Sequence, residues 1–130
     1  MGLVASPAHV TVLGELGAAE LGRRASVFAA PALYEPFGLA ILEAARDSCA
    51  LVLGDIPSLR ELWDGAAWFV DPRDRRALHA ALDKLAADSS LREHLADAAR
   101  GRSESYDIAT MSAGYRELYA RLPDRAGALR

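Results

Sequence analysis

Two carboxylates, Glu35 and Glu43, stand eight positions apart in the stretch YEPFGLAILEAA, on either side of Gly38. Pro36 and Phe37 follow the first acid directly, and past Gly38 the sequence becomes an apolar run that suits a helix. A helix start exposes backbone N–H groups with no partner inside the helix, and the helix dipole adds partial positive charge there. The amides of Gly38, Leu39 and Ala40 are therefore expected to face outward and to favour a phosphate. Glycine lets a ligand come close to the backbone, since no Cβ intervenes. A carboxylate repels that phosphate but accepts hydroxyl protons well. Glu43, a turn inside the helix, reaches past the phosphate toward the hydroxyls of a ribose. Glu35, on the loop, reaches hydroxyls on the other flank. Phosphate between two sets of hydroxyls is the outline of a sugar nucleotide. The plainer reading is that acids simply gather at a helix start, each worth well under about 1 kcal/mol. Gly38 serves as a loop-to-helix junction in either case.

Other chemistry-bearing residues are poorly placed for chemistry. His9, His79 and His94 have neither metal-ligand spacing nor a nucleophile beside them. Ser48 and Ser58 lack a Gly-x-Ser-x-Gly context. The single cysteine, Cys49, excludes an internal disulfide and a Cys-rich zinc site, and its apolar surroundings predict a buried small side chain. Asp64, Asp71 and Asp74 read as turn and cap residues. A net charge of -3 over 130 residues gives no basic excess for a nucleic-acid backbone. No run approaches the roughly 20 apolar residues that span a bilayer. The start lacks the pattern of a signal peptide. The expected setting is reducing and cytoplasmic, at the inner membrane surface only through a partner.

The elements that must position these residues follow an alternating order. HVTVL (residues 9–13) reads as a strand, AAELGRRA (18–25) as a weak helix and SVFAAP (26–31) as a second strand. The continuous apolar VFAA suits a strand buried on both faces. A helix over 38–46 leads to a third strand, ALVLG (50–54). PSLRELW is a helix with Pro57 at its first position. AAWFV (66–70) is a fourth strand. Three helices then close the chain. The first, 74–87, carries Leu78, Leu82 and Leu85 on one face. The second starts from Ser90 as N-cap, with Glu93 completing a capping box. The third, 107–122, carries a core stripe of Met111, Tyr115, Leu118 and Leu122. The pattern predicts an α/β fold with a partial Rossmann-like parallel sheet of about four strands, helices on both faces and a helical C-terminal tail. Residues 1–8 and 123–130 are expected to be loose tails around a domain at 9–122. In such sheets ligands bind beyond the carboxyl ends of the strands, and the loop into Glu35 is one such end.

With its flanks, the quoted stretch resembles the donor half of a family 4 (group 1) glycosyltransferase of GT-B architecture. Glu35, Pro36, Phe37, Gly38, Leu39 and Glu43 match its glutamate, seven residues, glutamate pattern. ASVFAAPALYEPFGLAILEAA, ALVLGDIPSLREL and AAWFVDPRD follow in the expected order. The resemblance implies metal-independent, retaining transfer of a sugar from a nucleotide-sugar donor, with no cofactor. It makes Glu35 the candidate catalytic residue, contacting the transferred sugar, and sets Glu43 on the ribose. The amides near Phe37, Gly38 and Leu39 would face the sugar and pyrophosphate. Gly14, Glu15 and Leu16 are assigned to the base by position alone.

The sequence also departs from that family. It shows no acceptor domain and none of the opening donor-domain strands whose Arg and Lys grip the pyrophosphate; Arg23 and Arg24 are not in that context. In the family strand order 3-2-1-4-5-6, the four strands here stand for 3, 4, 5 and 6. The first strand is then expected either to pair beside the second in a closed-up sheet, or to leave an edge that recruits another chain. Ser48 stands where the family usually has glycine, and Ala50 where it has proline, so a different backbone path is expected there. The last helix, which crosses to the acceptor domain in the family, would leave an apolar strip as a partner surface. Two readings follow. One is an enzyme part, inactive alone and completed by an acceptor domain. The other is a non-catalytic nucleotide- or protein-binding module of the same ancestry.

Overall fold

A run such as Ala50–Gly54, apolar or small at every position, can be buried on both faces only at the centre of a parallel sheet, and that is where it lies. The computed structural model describes residues 20, 22 and 24–121. The sheet has three parallel strands in the order β1 (Val27–Ala30), β2 (Ala50–Gly54), β3 (Trp68–Val70). Val27 pairs with Ala50 and Ala30 with Leu53 on one side of β2; Val52 pairs with Trp68 and Gly54 with Val70 on the other. The predicted strand at 9–13, the loop of Gly14, Glu15 and Leu16, both tails and Leu122 lie outside the described residues. Of the weak helix at 18–25, Glu20, Gly22 and Arg24 have helical backbone.

Helices cover both faces. Alternation along β2 sends Leu51 and Leu53 to one side, against α1 (Leu39–Arg46) and α2 (Pro57–Trp63) through Ile41, Leu42, Ala45, Leu59 and Trp63. Ala50 and Val52 face the other side, where α3 (Arg75–Ala87) supplies Ala81 and Leu85. The next helix, α4 (Ser89–Ser103), contributes Ala99 to the first cluster and Ala96 to the second. Pro57 opens α2 as predicted. Asp74 caps α3, its carboxylate accepting from the amides of Arg76 and Ala77.

Four expectations are corrected. β1 is not buried on both faces: Ala29 is exposed and its neighbours are half-buried, because among the described residues Ala29 packs into neither core cluster. β3 begins at Trp68 rather than Ala66, since the Ala66 amide closes a turn onto the Trp63 carbonyl at 2.8 Å. The N-cap of α4 is Asp88, not Ser90. One residue separates α3 from α4, and its carboxylate, a better cap partner for the dipole than a hydroxyl, accepts from the Leu91 amide at 2.9 Å. That bond and Lys84 hold the Asp88 carboxyl below the usual aspartate range. Finally, the stripe on α5 (Ile108–Arg121) is not core: Met111, Tyr115 and Leu118 are 49%, 57% and 55% exposed. A 3-10 turn, Glu104–Tyr106, carries the chain off the sheet before α5 begins, so the apolar periodicity is real but has no sheet beneath it.

At the end of α1, Ser48 takes φ 62°, the left-handed conformation that glycine favours. The Ser48 amide donates to Ala45 O at 3.1 Å and the Cys49 amide to Ala44 O at 3.0 Å, the paired bonds of a Schellman stop. Cys49 is buried as predicted. Its thiol donates to the Ala25 carbonyl at 3.4 Å, and burial, with the Asp47 charge second, pushes its pKa up.

Candidate functional site

The chain leaves β1 at Pro31, crosses the carboxyl end of β2 and enters α1 at Gly38. The crossing is close: a Cβ on Gly54 would lie 2.5 Å from the Ala32 carbonyl oxygen, so only glycine lets the loop pass. Farther along, the Ser58 hydroxyl donates to the Glu35 carbonyl at 2.6 Å. Phe37 packs partly into the core and meets the Tyr106 ring edge-on at 5.8 Å. Tyr106 is itself fixed by Arg46, which donates to its carbonyl at 3.1 Å.

Gly38 is the N-cap of α1, with φ 81° and ψ 72°. An N-cap normally sits in the extended region and offers a side-chain oxygen to the first amides. Glycine here does neither, and among the described residues no side chain caps α1, so the amino end of the helix keeps the character of an anion site. A Cβ at Gly38 would fall 2.6 Å from Ile41 Cδ1 and 3.3 Å from Glu35 Cγ. The space freed by the missing side chain is thus taken by the protein itself, and the stem of Glu35 lies against the first turn of α1.

The other residues named from the sequence border two separate recesses beside α1. Glu43 is exposed and borders a small apolar recess of about 80 Å³ with Phe28, Ala40 and Cys49, on the β1 side. Phe37 and Leu39 line a second recess with Leu42, Tyr106, Met111 and Tyr115, an almost wholly apolar groove of about 570 Å³. Leu39 is 69% exposed. The structure therefore sets the Glu35 stem against Gly38, places Glu43 one helical turn beyond Leu39, and opens Phe37 and Leu39 onto the apolar groove. No spacing signal in the sequence points to Ser58, Gly54 or Tyr106, because each acts on a loop far from it along the chain.

Among the described residues no three His, Cys, Asp or Glu side chains gather as a metal site. Asp55, beyond the end of β2, is held instead in a bidentate pair by Arg60 at 2.7 and 2.9 Å, which keeps its carboxyl below the usual range. The Arg60 guanidinium also lies 4.1 Å from the centre of the Phe69 ring. No described helix is long and apolar enough to cross a membrane.

A family model described as group 1 glycosyl transferases matches residues 5–102, a span that includes Glu35, Gly38 and Glu43. The chain belongs to the group 1 glycosyltransferases. This glycosyltransferase chain is 40% identical over 74 residues to a probable sucrose-phosphate synthase 1 of Oryza sativa subsp. indica, covering 54% of the chain and 7% of that protein. It is 42% identical over 69 residues to a sucrose-phosphate synthase of Zea mays, covering 50% of the chain and 6% of that protein. Among solved structures, a sucrose-phosphate synthase from Thermosynechococcus elongatus superposes with a TM-score of 0.71 at 25% identity, over 86% of this chain and 31% of that one. The glycosyltransferase chain thus spans a small part of the length of its curated relatives and under a third of the solved one.

Proposed function

We propose that this chain is the donor-binding part of a retaining glycosyltransferase that takes a sugar from a nucleotide-sugar and is completed by protein outside this sequence. The observation that carries the reading is the uncapped amino end of α1, with the Glu35 stem against Gly38 and Glu43 one turn into the helix. The amides from Phe37 to Leu39 receive the pyrophosphate and the face of the sugar, where fixed N–H groups and the helix dipole oppose its charge. Glu43 accepts hydroxyl protons from the ribose and Glu35 from the transferred sugar. Gly14, Glu15 and Leu16 meet the base. In this reading the departing diphosphate is stabilised by preorganised dipoles of this chain and by basic side chains of the protein that completes it, with no metal required. Similarity to enzymes named for sucrose phosphate makes a glucose-bearing nucleotide the first donor to test.

The test is an amide NMR titration of the chain with UDP, GDP and ADP in turn. One nucleotide is expected to move the peaks of Gly38 through Glu43. Glu43→Ala is expected to weaken its binding about tenfold, the loss of hydrogen bonds to a charged acceptor. A well-dispersed spectrum that ignores all three nucleotides would sink the donor reading. It would favour a non-catalytic module, for which the apolar groove along α5 is the supporting feature.

A further inference from the structure

We infer that Ser58 and Gly54 act together as a clamp that aims Glu35, making both positioning residues for the sugar end of the site. The inference rests on the donor reading above and deepens it. Three observations meet at this point.

The first is the nature of the Glu35–Pro36 peptide. Proline has no N–H, so this peptide unit offers a single polar group, the Glu35 carbonyl. The unit is planar. One hydrogen bond to that carbonyl therefore sets the orientation of the plane from which the Glu35 side chain departs. Ser58 provides the bond, at 2.6 Å and partly shielded from water.

The second is what Ser58 does not do. A serine at the start of a helix ordinarily accepts from its own helix amides as an N-cap. The N-cap of α2 is Ile56, which makes no side-chain cap, and Pro57 opens the helix. Ser58 sits two residues past the capping position and turns its hydroxyl outward, as a donor, to a loop that precedes it by 23 positions.

The third is Gly54. It is buried at the end of β2, and a Cβ there would stand 2.5 Å from Ala32 O, 3.1 Å from Ala32 N and 3.3 Å from Pro31 C. These are backbone atoms that cannot swing aside. The loop thus rests on β2 at Ala32 and is held by α2 at Glu35. Both anchors come from one short segment, Gly54 to Ser58, whose own path is fixed where the Asp55 amide donates to Val70 O at 2.7 Å.

The test uses the full chain and its Ser58→Ala, Ser58→Thr and Gly54→Ala variants. Backbone order parameters at Tyr34, Glu35, Phe37 and Gly38 are expected near the rigid value of about 0.85 in the wild type and below about 0.6 in Ser58→Ala. Leu51 and Val52 in the core are expected to keep their wild-type values. Ser58→Thr, which keeps the hydroxyl, is expected to restore rigidity. Gly54→Ala is expected to shift the Ala32 and Leu33 resonances even if threonine proves too bulky at position 58. In ligand titrations with UDP, GDP and ADP and their glucose conjugates, Ser58→Ala is expected to lose the preference for the sugar conjugate, as Glu35→Ala does. Affinity for the free diphosphate should stay unchanged. A loop as rigid in Ser58→Ala as in the wild type would overturn the clamp, and so would equal loosening of loop and core. If the wild type binds none of the six ligands, the donor reading fails, and the order parameters alone decide whether the clamp exists.

Discussion

Replacing Ser48 with glycine should stabilise this protein, and the size of the gain follows from the backbone. Ser48 holds φ 62°. A residue with a Cβ in the left-handed region carries about 1–2 kcal/mol of steric cost that glycine escapes. Glycine's greater freedom in the unfolded chain takes back about 0.5–1 kcal/mol. The serine hydroxyl also accepts from Arg100 Nη1 at 3.2 Å in an exposed position, and losing that bond costs well under about 1 kcal/mol. The net expectation for Ser48→Gly is a gain of about 0.5 kcal/mol, or roughly 2 °C in Tm for a chain of this size. A sharper comparison is Ser48→Gly against Ser48→Ala. Both lack the hydroxyl, so their difference isolates the backbone, and glycine should be the more stable by about 1 kcal/mol. The assay is thermal unfolding followed by circular dichroism at 222 nm, repeated in urea to check that m is unchanged. Equal midpoints for the two variants would refute the reasoning, because they would mean that position 48 does not need the left-handed conformation.

Other consequences can be measured on the same material. Gly38→Ala places a Cβ 2.6 Å from Ile41 Cδ1 at a φ of 81°, and a loss of about 1–3 kcal/mol in urea unfolding is expected. Asp88 is held below its ordinary pKa by the Leu91 amide first and Lys84 second, and Asp107 by Thr110. Groups depressed on folding contribute stability that is complete above the ordinary aspartate pKa of about 3.9 and is lost as pH falls through the lower folded value. Midpoints measured from pH 6 down to pH 2 should therefore fall in acid, and Asp88→Asn should flatten that fall; a parallel curve for the variant would contradict the assignment. Cys49, buried and with its thiol pKa pushed up, should label slowly with a disulfide reagent until urea unfolds the chain, whereas rapid labelling without urea would place the thiol at the surface.

What could be read from the sequence, and what could not, divides along the range of the forces. The central strand Ala50–Gly54 was legible because a strand covered on both faces must be apolar at every position. The first strand looked the same, yet VFAA carries no mark of what packs against each face, and β1 is half-open among the described residues. Pro57 and Asp74 announced their helices because capping acts over two or three residues. Ser90 misled because two acceptable caps, Asp88 and Ser90, stand two positions apart and the carboxylate won. The Met111, Tyr115 and Leu118 stripe had the right period for a buried face, but periodicity says which side is apolar and not what lies against it. At the site, the order Glu35, Gly38, Glu43 around a helix start was local and therefore visible. The clamp was not, since Ser58 and Gly54 meet the loop only through the folded topology.

That topology has a consequence for the order in which the protein can be made. The loop after β1 owes its shape to Gly54, Ser58 and Tyr106, all of which follow it in the chain. During synthesis at about 5–20 residues per second, Tyr106 leaves the ribosome several seconds after Phe37. For that interval Glu35 and the start of α1 are exposed to the cell without the contacts that set them. The loop that carries Glu35 is thus finished as peptide well before it can be finished as structure.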